Sequence, residues 1–132
     1  MDDLVAAPLA GVTLAPAASE FVIGEWTDAP GASSAGRPIA PPHVHHSDDE
    51  GWYVLEGRLG VRLGERTVEA GPGEAVLAPR GVVHTFWNAS NGVTRYLIVM
   101  THRIQQLIDE LHETGFANVA DTFRKYDSEL VD

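Results

Sequence analysis

Short apolar and alternating runs dominate the first hundred residues of the chain. Residues 20–27 and 93–100 are rich in β-branched and aromatic side chains, which favours strands. Turn residues such as Gly57, Pro79 and Gly92 recur between them, at a spacing typical of an antiparallel sandwich or small barrel. The other strands that this rhythm predicts cover residues 11–15, 52–56, 59–63, 66–70, 75–78 and 82–87.

The pattern changes to a helical period after residue 101. Apolar residues recur with i, i+3, i+4, i+7 spacing from Ile104 to Leu111, which predicts an amphipathic helix that ends near Gly115. A second apolar run, from Phe116 to Leu130, predicts another helix. We expect both helices to pack across the outside of the barrel or against a second subunit.

The composition limits the partners and the compartment. The chain has 132 residues, which fits one domain with a modest core, and its formal net charge is −10. Nucleic acids and anionic membrane surfaces attract basic proteins, so we expect neither as a partner. No apolar stretch is long enough to span a bilayer, and the start of the chain lacks the basic region of a signal peptide. These features predict a cytoplasmic protein.

Two places in the strand pattern carry residues with metal-binding chemistry. His43 and His45 are separated by one residue, so both imidazoles face the same side of an extended strand. Glu50 follows after a short acidic turn, and His84 comes from a later predicted strand. The chain has no cysteine, so nitrogen and oxygen must hold any metal. Neutral imidazoles with one carboxylate suit a divalent transition metal.

The same residues form two motifs that resemble those of the cupin family. With x for any residue, these are His43-x-His45-x4-Glu50-x6-Gly57 and Gly73-x5-Pro79-x-Gly81-x2-His84-x3-Asn88. The spacer resembles that of compact, quercetin-dioxygenase-like cupins, although Gly36 lies one residue too far upstream to open the first motif. The resemblance implies an all-β fold, a double-stranded β-helix (jelly-roll) barrel. It assigns the barrel core to residues 19–101 and a C-terminal helical segment to residues 102–130, in one cupin domain of residues 1–132.

The resemblance also implies a function. Its metal ligands would be His43, His45, Glu50 and His84, around one divalent ion of iron, manganese, nickel, cobalt, copper or zinc. The implied reaction is dioxygenation of a small enol or aromatic molecule bound to the metal, with Glu50 as the base. A non-redox isomerase, cyclase or lyase would use the same residues, and a binding or sensing module is a third alternative. A homodimer is a further expectation from the family.

Strand alternation predicts the walls of a substrate pocket. If the ligands His84 and Glu50 both point inward, the side chains two and four residues beyond each of them share that inward face. This argument predicts a pocket that is mostly apolar and aromatic, suited to a small organic molecule. The predicted pocket residues are Trp52, Val54, Phe86 and Asn88.

Residues near the motifs have alternative interpretations. His46 falls on the face opposite to the ligands, which makes it a surface residue unless the strand bulges. Asp48 and Asp49 fit a solvated turn, with hydrogen bonds to the histidines as the alternative. Arg80 is read as a surface residue, with anion contact at the mouth as the alternative. Residues 28–36 are read as a surface loop, with a lid over the site as the alternative.

Overall fold

Two antiparallel five-stranded sheets enclose the core in the computed structural model, which describes residues 4–131. This confirms the all-β sandwich that the sequence predicts. The elements in chain order are β1 (Thr13–Leu14), β2 (Val22–Asp28), β3 (His43–His45), β4 (Glu50–Glu56), β5 (Leu59–Leu63), β6 (Arg66–Ala70), β7 (Ala75–Ala78), β8 (His84–Asn88), β9 (Thr94–Met100), α1 (His102–Glu113), α2 (Val119–Lys125) and β10 (Ser128–Leu130).

The strand order brings the predicted ligands together from both sheets. One sheet has the order β1-β2-β9-β4-β7 and the other β10-β3-β8-β5-β6. His43 pairs with His84 across β3 and β8. Glu50 begins β4 in the opposite sheet, where it pairs with Ala78 of β7. The two sheets therefore contribute their ligands to the same end of the sandwich.

Inward-facing side chains fill the space between the sheets. On β4 the alternation is clear: Trp52 and Val54 are buried, whereas Tyr53 between them is 42% exposed. Strand β8 is buried at every position, so it is covered on both faces. Its Trp87 lies against Gly60, where an added Cβ would come within 2.2 Å of the indole, so only glycine allows this close approach.

The C-terminal region differs from the prediction in its elements. Gly115, Phe116 and Asn118 take φ values of +60°, +66° and +53°. Left-handed backbone ends a right-handed helix, so α2 begins only at Val119. The predicted second helix is present as α2, but its predicted extent to Leu130 is wrong, because Ser128–Leu130 pair with β3 as strand β10. Pairing with a neighbouring strand overrides the weak local preference of so short a segment.

The helices lie over the open end of the sandwich, not across its outside as the sequence analysis expected. Ile104 of α1 belongs to the same core cluster as Trp52. Leu107 and Leu111 pack with Phe123 of α2 in a second cluster beside it. The apolar stripe of α1 therefore covers the mouth of the barrel, and contact with a second subunit stays a prediction. Within residues 4–131, neither helix is long and apolar enough to cross a membrane.

Candidate metal centre

Four predicted ligands meet beneath the helices. The ligand atoms of His43, His45, Glu50 and His84 all lie within 4.8 Å of one another. None of these side chains is more than 4% exposed. Two come from β3, one from β4 and one from β8, so the register of both sheets sets their geometry. The group could hold a metal ion.

Local carbonyl groups orient two of the histidines. His43 Nδ1 donates to the carbonyl of Pro41 at 2.7 Å, and His84 Nδ1 donates to the carbonyl of Val82 at 3.0 Å. A carbonyl oxygen can only accept, so both rings carry a proton on Nδ1. Their Nε2 atoms are then directed to the centre of the group, as in metal sites where the other ring nitrogen is held by an outer hydrogen bond.

His45 is oriented in the same way, but by a side chain. Its Nδ1 lies 2.7 Å from Ser128 Oγ of β10. Its Nε2 is buried without a hydrogen-bond partner and lies 3.3 Å from Glu50 Oε1, poorly aligned for a hydrogen bond. A buried nitrogen left without a partner is unfavourable. A metal ion would satisfy this atom, so the residues fit such an ion.

The four ligands differ in protonation because their electrostatic surroundings differ. Burial, together with the neighbouring His84 and His45, lowers the pKa of His43 to about 3. Burial opposes ionisation of Glu50, but contacts with His45 and His84 outweigh it and hold the pKa of that carboxyl well below its usual range. Burial likewise opposes protonation of His84, yet its hydrogen bond to Glu50 raises the pKa of His84. The group therefore combines a carboxylate with at least one neutral imidazole, both of them metal ligands.

The structure places the four predicted pocket residues at different depths. Phe86 lines the cavity next to the ligands. Trp52 is buried against the His84 ring, at 5.7 Å between ring centroids, and against Phe86 at 5.3 Å. Val54 and Asn88, however, lie deeper along their strands, in the core and at the base of the barrel. Alternation identified the buried face correctly, but it does not say how far along a strand the pocket extends.

An apolar cavity of about 70 Å³ lies between the ligands and the helices. His43, His45 and Glu50 form its polar floor, and the remaining walls are apolar except for His112 of α1. Among the described residues, no lysine or arginine lines it. Helices α1 and α2 supply many of the walls, which strand alternation could not predict.

Other residues near the motifs do not join the ligands. The side chain of His46 is 46% exposed, which agrees with a surface position. Arg80 pairs with Asp49, whose Oδ1 also accepts the backbone N–H of Arg80 at 2.8 Å. The nearest cation to Asp48 is Arg103 of α1, at 3.6 Å. Asp49 therefore bonds to Arg80, Asp48 lies near Arg103 with its Oδ2 left without a hydrogen-bond partner, and neither aspartate bonds to the ligand histidines.

The loop of residues 28–36 is anchored at the far end of β8. Ser33 Oγ donates to Asp28 at 2.8 Å and accepts the backbone N–H of Asn88 at 2.7 Å. Asn88 lies four residues beyond His84, about 13 Å along a strand. The lid alternative for this loop is therefore wrong, and the helices cover the mouth instead.

A comparison with known families decides what kind of protein this is. The family model described as the cupin domain matches residues 24–100, more than half of the chain. The chain belongs to the cupin family. This confirms the family that the two motifs predict, whereas the quercetin-dioxygenase-like subtype stays a prediction.

The individual relatives each match only part of this cupin. An uncharacterised protein from Streptomyces coelicolor is 34% identical over 56 residues, covering 42% of this chain and 52% of that protein. The match thus spans about half the length of the curated relative. Among solved structures, TT1209 from Thermus thermophilus is 30% identical with a TM-score of 0.53, covering 62% of this chain and 72% of that chain. The polyketide cyclase RemF from Streptomyces resistomycificus is 38% identical with a TM-score of 0.52, covering 64% of this cupin and 56% of that chain.

Besides the cavity walls from the helices, two residues that lie against the ligand histidines come from beyond the part that the cupin model matches. Ser128 of β10 contacts His45, and the ring of Phe123 of α2 lies 5.0 Å from the ring of His43. Sequence reasoning missed both roles. Phe123 carried an apolar signal that pointed only to packing, and a single serine in a short segment carries no pattern that distinguishes it from any other.

Proposed function

We propose that this cupin is a metal-dependent enzyme that acts on a small, largely apolar molecule through a ketone, enol or phenol oxygen. The proposed chemistry is non-redox: cyclisation, isomerisation or elimination. The observation that carries the proposal is a buried group of three histidines and one glutamate on the floor of an apolar cavity. The similarity to a polyketide cyclase, at 38% identity, supports this class of reaction.

A divalent metal held by His43, His45, Glu50 and His84 would act as a Lewis acid that polarises the substrate oxygen. The three imidazoles have their outer nitrogens engaged in hydrogen bonds, so their inner nitrogens would face the metal, which would displace the proton that His84 Nε2 shares with Glu50. Iron, manganese, nickel, cobalt, copper and zinc all accept this mixture of donors.

Glu50 is the proposed general base. It is 4% exposed, and its Oε1 lies 3.1 Å from His84 Nε2 and 3.3 Å from His45 Nε2. The contact with His84 keeps Glu50 ionised but weakly basic, so a substrate proton within hydrogen-bond reach would have to be made acidic by polarisation of the substrate oxygen. A proton taken from the carbon next to a ketone, or from a hydroxyl group, would start each of the proposed reactions.

The cavity limits the substrate. Its walls are apolar and carry no lysine or arginine among the described residues, which disfavours phosphorylated and other anionic molecules. Apolar cavities that bind benzene are about 150 Å³. The cavity here is about 70 Å³, so α1 and α2 must move outward before an aromatic ring enters. Once closed, the helices would exclude water from the reacting atoms.

The first test is elemental analysis of the untagged protein, beside a chelated and reconstituted sample. We expect about one equivalent of a transition metal per chain. Glu50→Gln should then abolish turnover of aromatic ketone or enol substrates while reducing metal content less. Equal loss of both would leave Glu50 as a ligand only. If the chelated protein takes up no metal, the enzyme proposal fails and a small-molecule binding module remains.

Dioxygenation is the second candidate. His43, His45, Glu50 and His84 would hold the metal and would leave it open to a substrate and to dioxygen. An oxygen electrode separates the two candidates with the same flavonoid-like enols and aromatic ketones. Substrate loss without oxygen uptake supports the non-redox class, and stoichiometric oxygen uptake supports the dioxygenase.

A further inference from the structure

The three ligand histidines are oriented by two different kinds of partner. His43 and His84 each donate to a backbone carbonyl two residues earlier in their own segment. Those two hydrogen bonds join residues of the same segment, so they depend only on the local backbone conformation. His45 instead depends on Ser128, which lies 83 residues later in the sequence. One of the three orientations therefore depends on a distant side chain.

The polarity of the Ser128 contact is set by a second hydrogen bond. Ser128 Oγ lies 3.1 Å from the carbonyl oxygen of Tyr126, to which only the hydroxyl proton can donate. The serine oxygen must then accept the proton of His45 Nδ1. The Ser128 residue is 1% exposed, so water does not replace it readily. His45 is thereby held in the Nδ1–H tautomer, with the Nε2 lone pair directed at the other ligands.

Strand β10 is itself tied to the ligand strand. It pairs with β3 in a register that sets Ser128 opposite His45. Backbone hydrogen bonds continue on both sides, from His46 to Asp127 at 3.0 Å and from Val131 to Pro42 at 2.9 Å. These bonds hold the serine at the level of its histidine.

We propose that Ser128 is a positioning residue of the metal centre, and that β10 thereby couples metal binding to docking of the C-terminal segment. The proposal rests on the metal function proposed above. Ser128 touches neither metal nor substrate and acts only through His45. The helices that cover the cavity precede β10 directly, so the same segment both closes the site and completes its ligand geometry.

The principal test compares Ser128→Ala with Ser33→Ala. Ser33 is also a buried serine with two hydrogen bonds, but it lies at the base of the barrel. Competition with a chelator should show that Ser128→Ala weakens Co²⁺ binding by about 10–100-fold, the range for removing the partner of a ligating histidine. Ser33→Ala should leave Co²⁺ affinity at the wild-type level. Equal Co²⁺ affinity in wild type and Ser128→Ala would overturn the proposal.

Two further measurements support the test. The first does not depend on metal uptake, and the second does not depend on folding of the variant. Nitrogen-15 NMR of metal-free protein should show His45 as the Nδ1–H tautomer in wild type and a shift toward Nε2–H in Ser128→Ala. An unchanged tautomer would refute the role of Ser128, even if wild type bound no metal and the proposed function failed. In wild type, Co²⁺ should slow amide exchange in β10 more than in β6. Equal slowing would refute the coupling.

Discussion

The two ends of strand β8 both bury a polar side chain, but the polar groups around those two side chains are paired differently. At the base, the carboxamide of Asn88 uses all of its hydrogen-bonding atoms. Its Nδ2 donates to three backbone carbonyls, and its Oδ1 accepts from the N–H of Ser90 and the hydroxyl of Thr94. At the mouth, His84 is also paired, through Nδ1 with the carbonyl of Val82 and through Nε2 with Glu50, but it lies beside His45 Nε2, which is buried without a hydrogen-bond partner.

This difference separates a structural polar group from a site. A buried polar group whose atoms are all paired holds elements together, and no binding role is needed to explain it. A buried nitrogen that points at other ligands without a partner is unfavourable, and a bound ion would remove that penalty. Burial of a polar residue in a strand is therefore not enough to predict function. An unpaired buried atom indicates a site only where it also faces other possible ligands, since Asp48 Oδ2 and Trp52 Nε1 are likewise buried without a hydrogen-bond partner.

The largest loss of metal binding is expected from a substitution at the mouth. His84→Ala removes one of four donors and should weaken metal binding by more than about 100-fold, because even the loss of an outer partner of a ligand costs about 10–100-fold. The barrel should stay folded, since residues outside the ligand group supply most of its core. Elemental analysis and circular dichroism measure the two outcomes. Full metal content in a folded His84→Ala protein would show that the ligand assignment is wrong.

At the base, a substitution is expected to lower stability and to leave metal binding unchanged. Asn88→Ala removes a hydrogen-bond partner from five groups, of which Gly92 O and Thr94 Oγ1 keep another, and should lower the free energy of unfolding by about 2 kcal/mol or more, since each buried group left unpaired costs about 1–3 kcal/mol. Metal affinity should equal that of wild type. Urea denaturation and chelator competition measure these quantities.

Thr94→Val provides a control of nearly the same shape at the base. Thr94 is fully buried, donates to Asn88 Oδ1 at 2.7 Å and accepts the N–H of Arg58 at 3.0 Å. The variant should show a smaller loss of stability than Asn88→Ala, because fewer groups lose a partner. A change in metal affinity in either variant would contradict the separation between base and mouth.

The same contrast explains what the sequence could and could not predict. Strand period and turn residues predicted most of the strands, and the spacing of His43, His45, Glu50 and His84 predicted the group that the structure brings together. These features are local, or they follow from the family motifs. Asn88 shares the inward face of His84, so alternation could not reveal that it serves the base of the barrel.

The C-terminal contributions needed information that is not local. The apolar period from Ile104 predicted α1, but a stripe of apolar residues fits the outside, the mouth or a partner equally well. Strand β10 is three residues long and is defined by its pairing with β3. Three residues carry too little pattern for an assignment, and the role of Ser128 follows only from the register of that pairing.

The smallest effect is expected for a charge pair beside the mouth that is exposed and fully partnered. Arg80 precedes the His84 strand and pairs with Asp49 at 3.2 Å, with exposed fractions of 64% and 47%. Exposed pairs contribute little and are screened by salt. Arg80→Ala also keeps the backbone N–H that donates to Asp49 at 2.8 Å, so the turn retains its main restraint. Metal affinity should change by less than about threefold, and less still at high salt. A tenfold loss of metal affinity, measured by competition with a chelator, would mean that this exposed ion pair positions the ligands. Complete hydrogen-bond pairing would then not be enough to mark a group as purely structural.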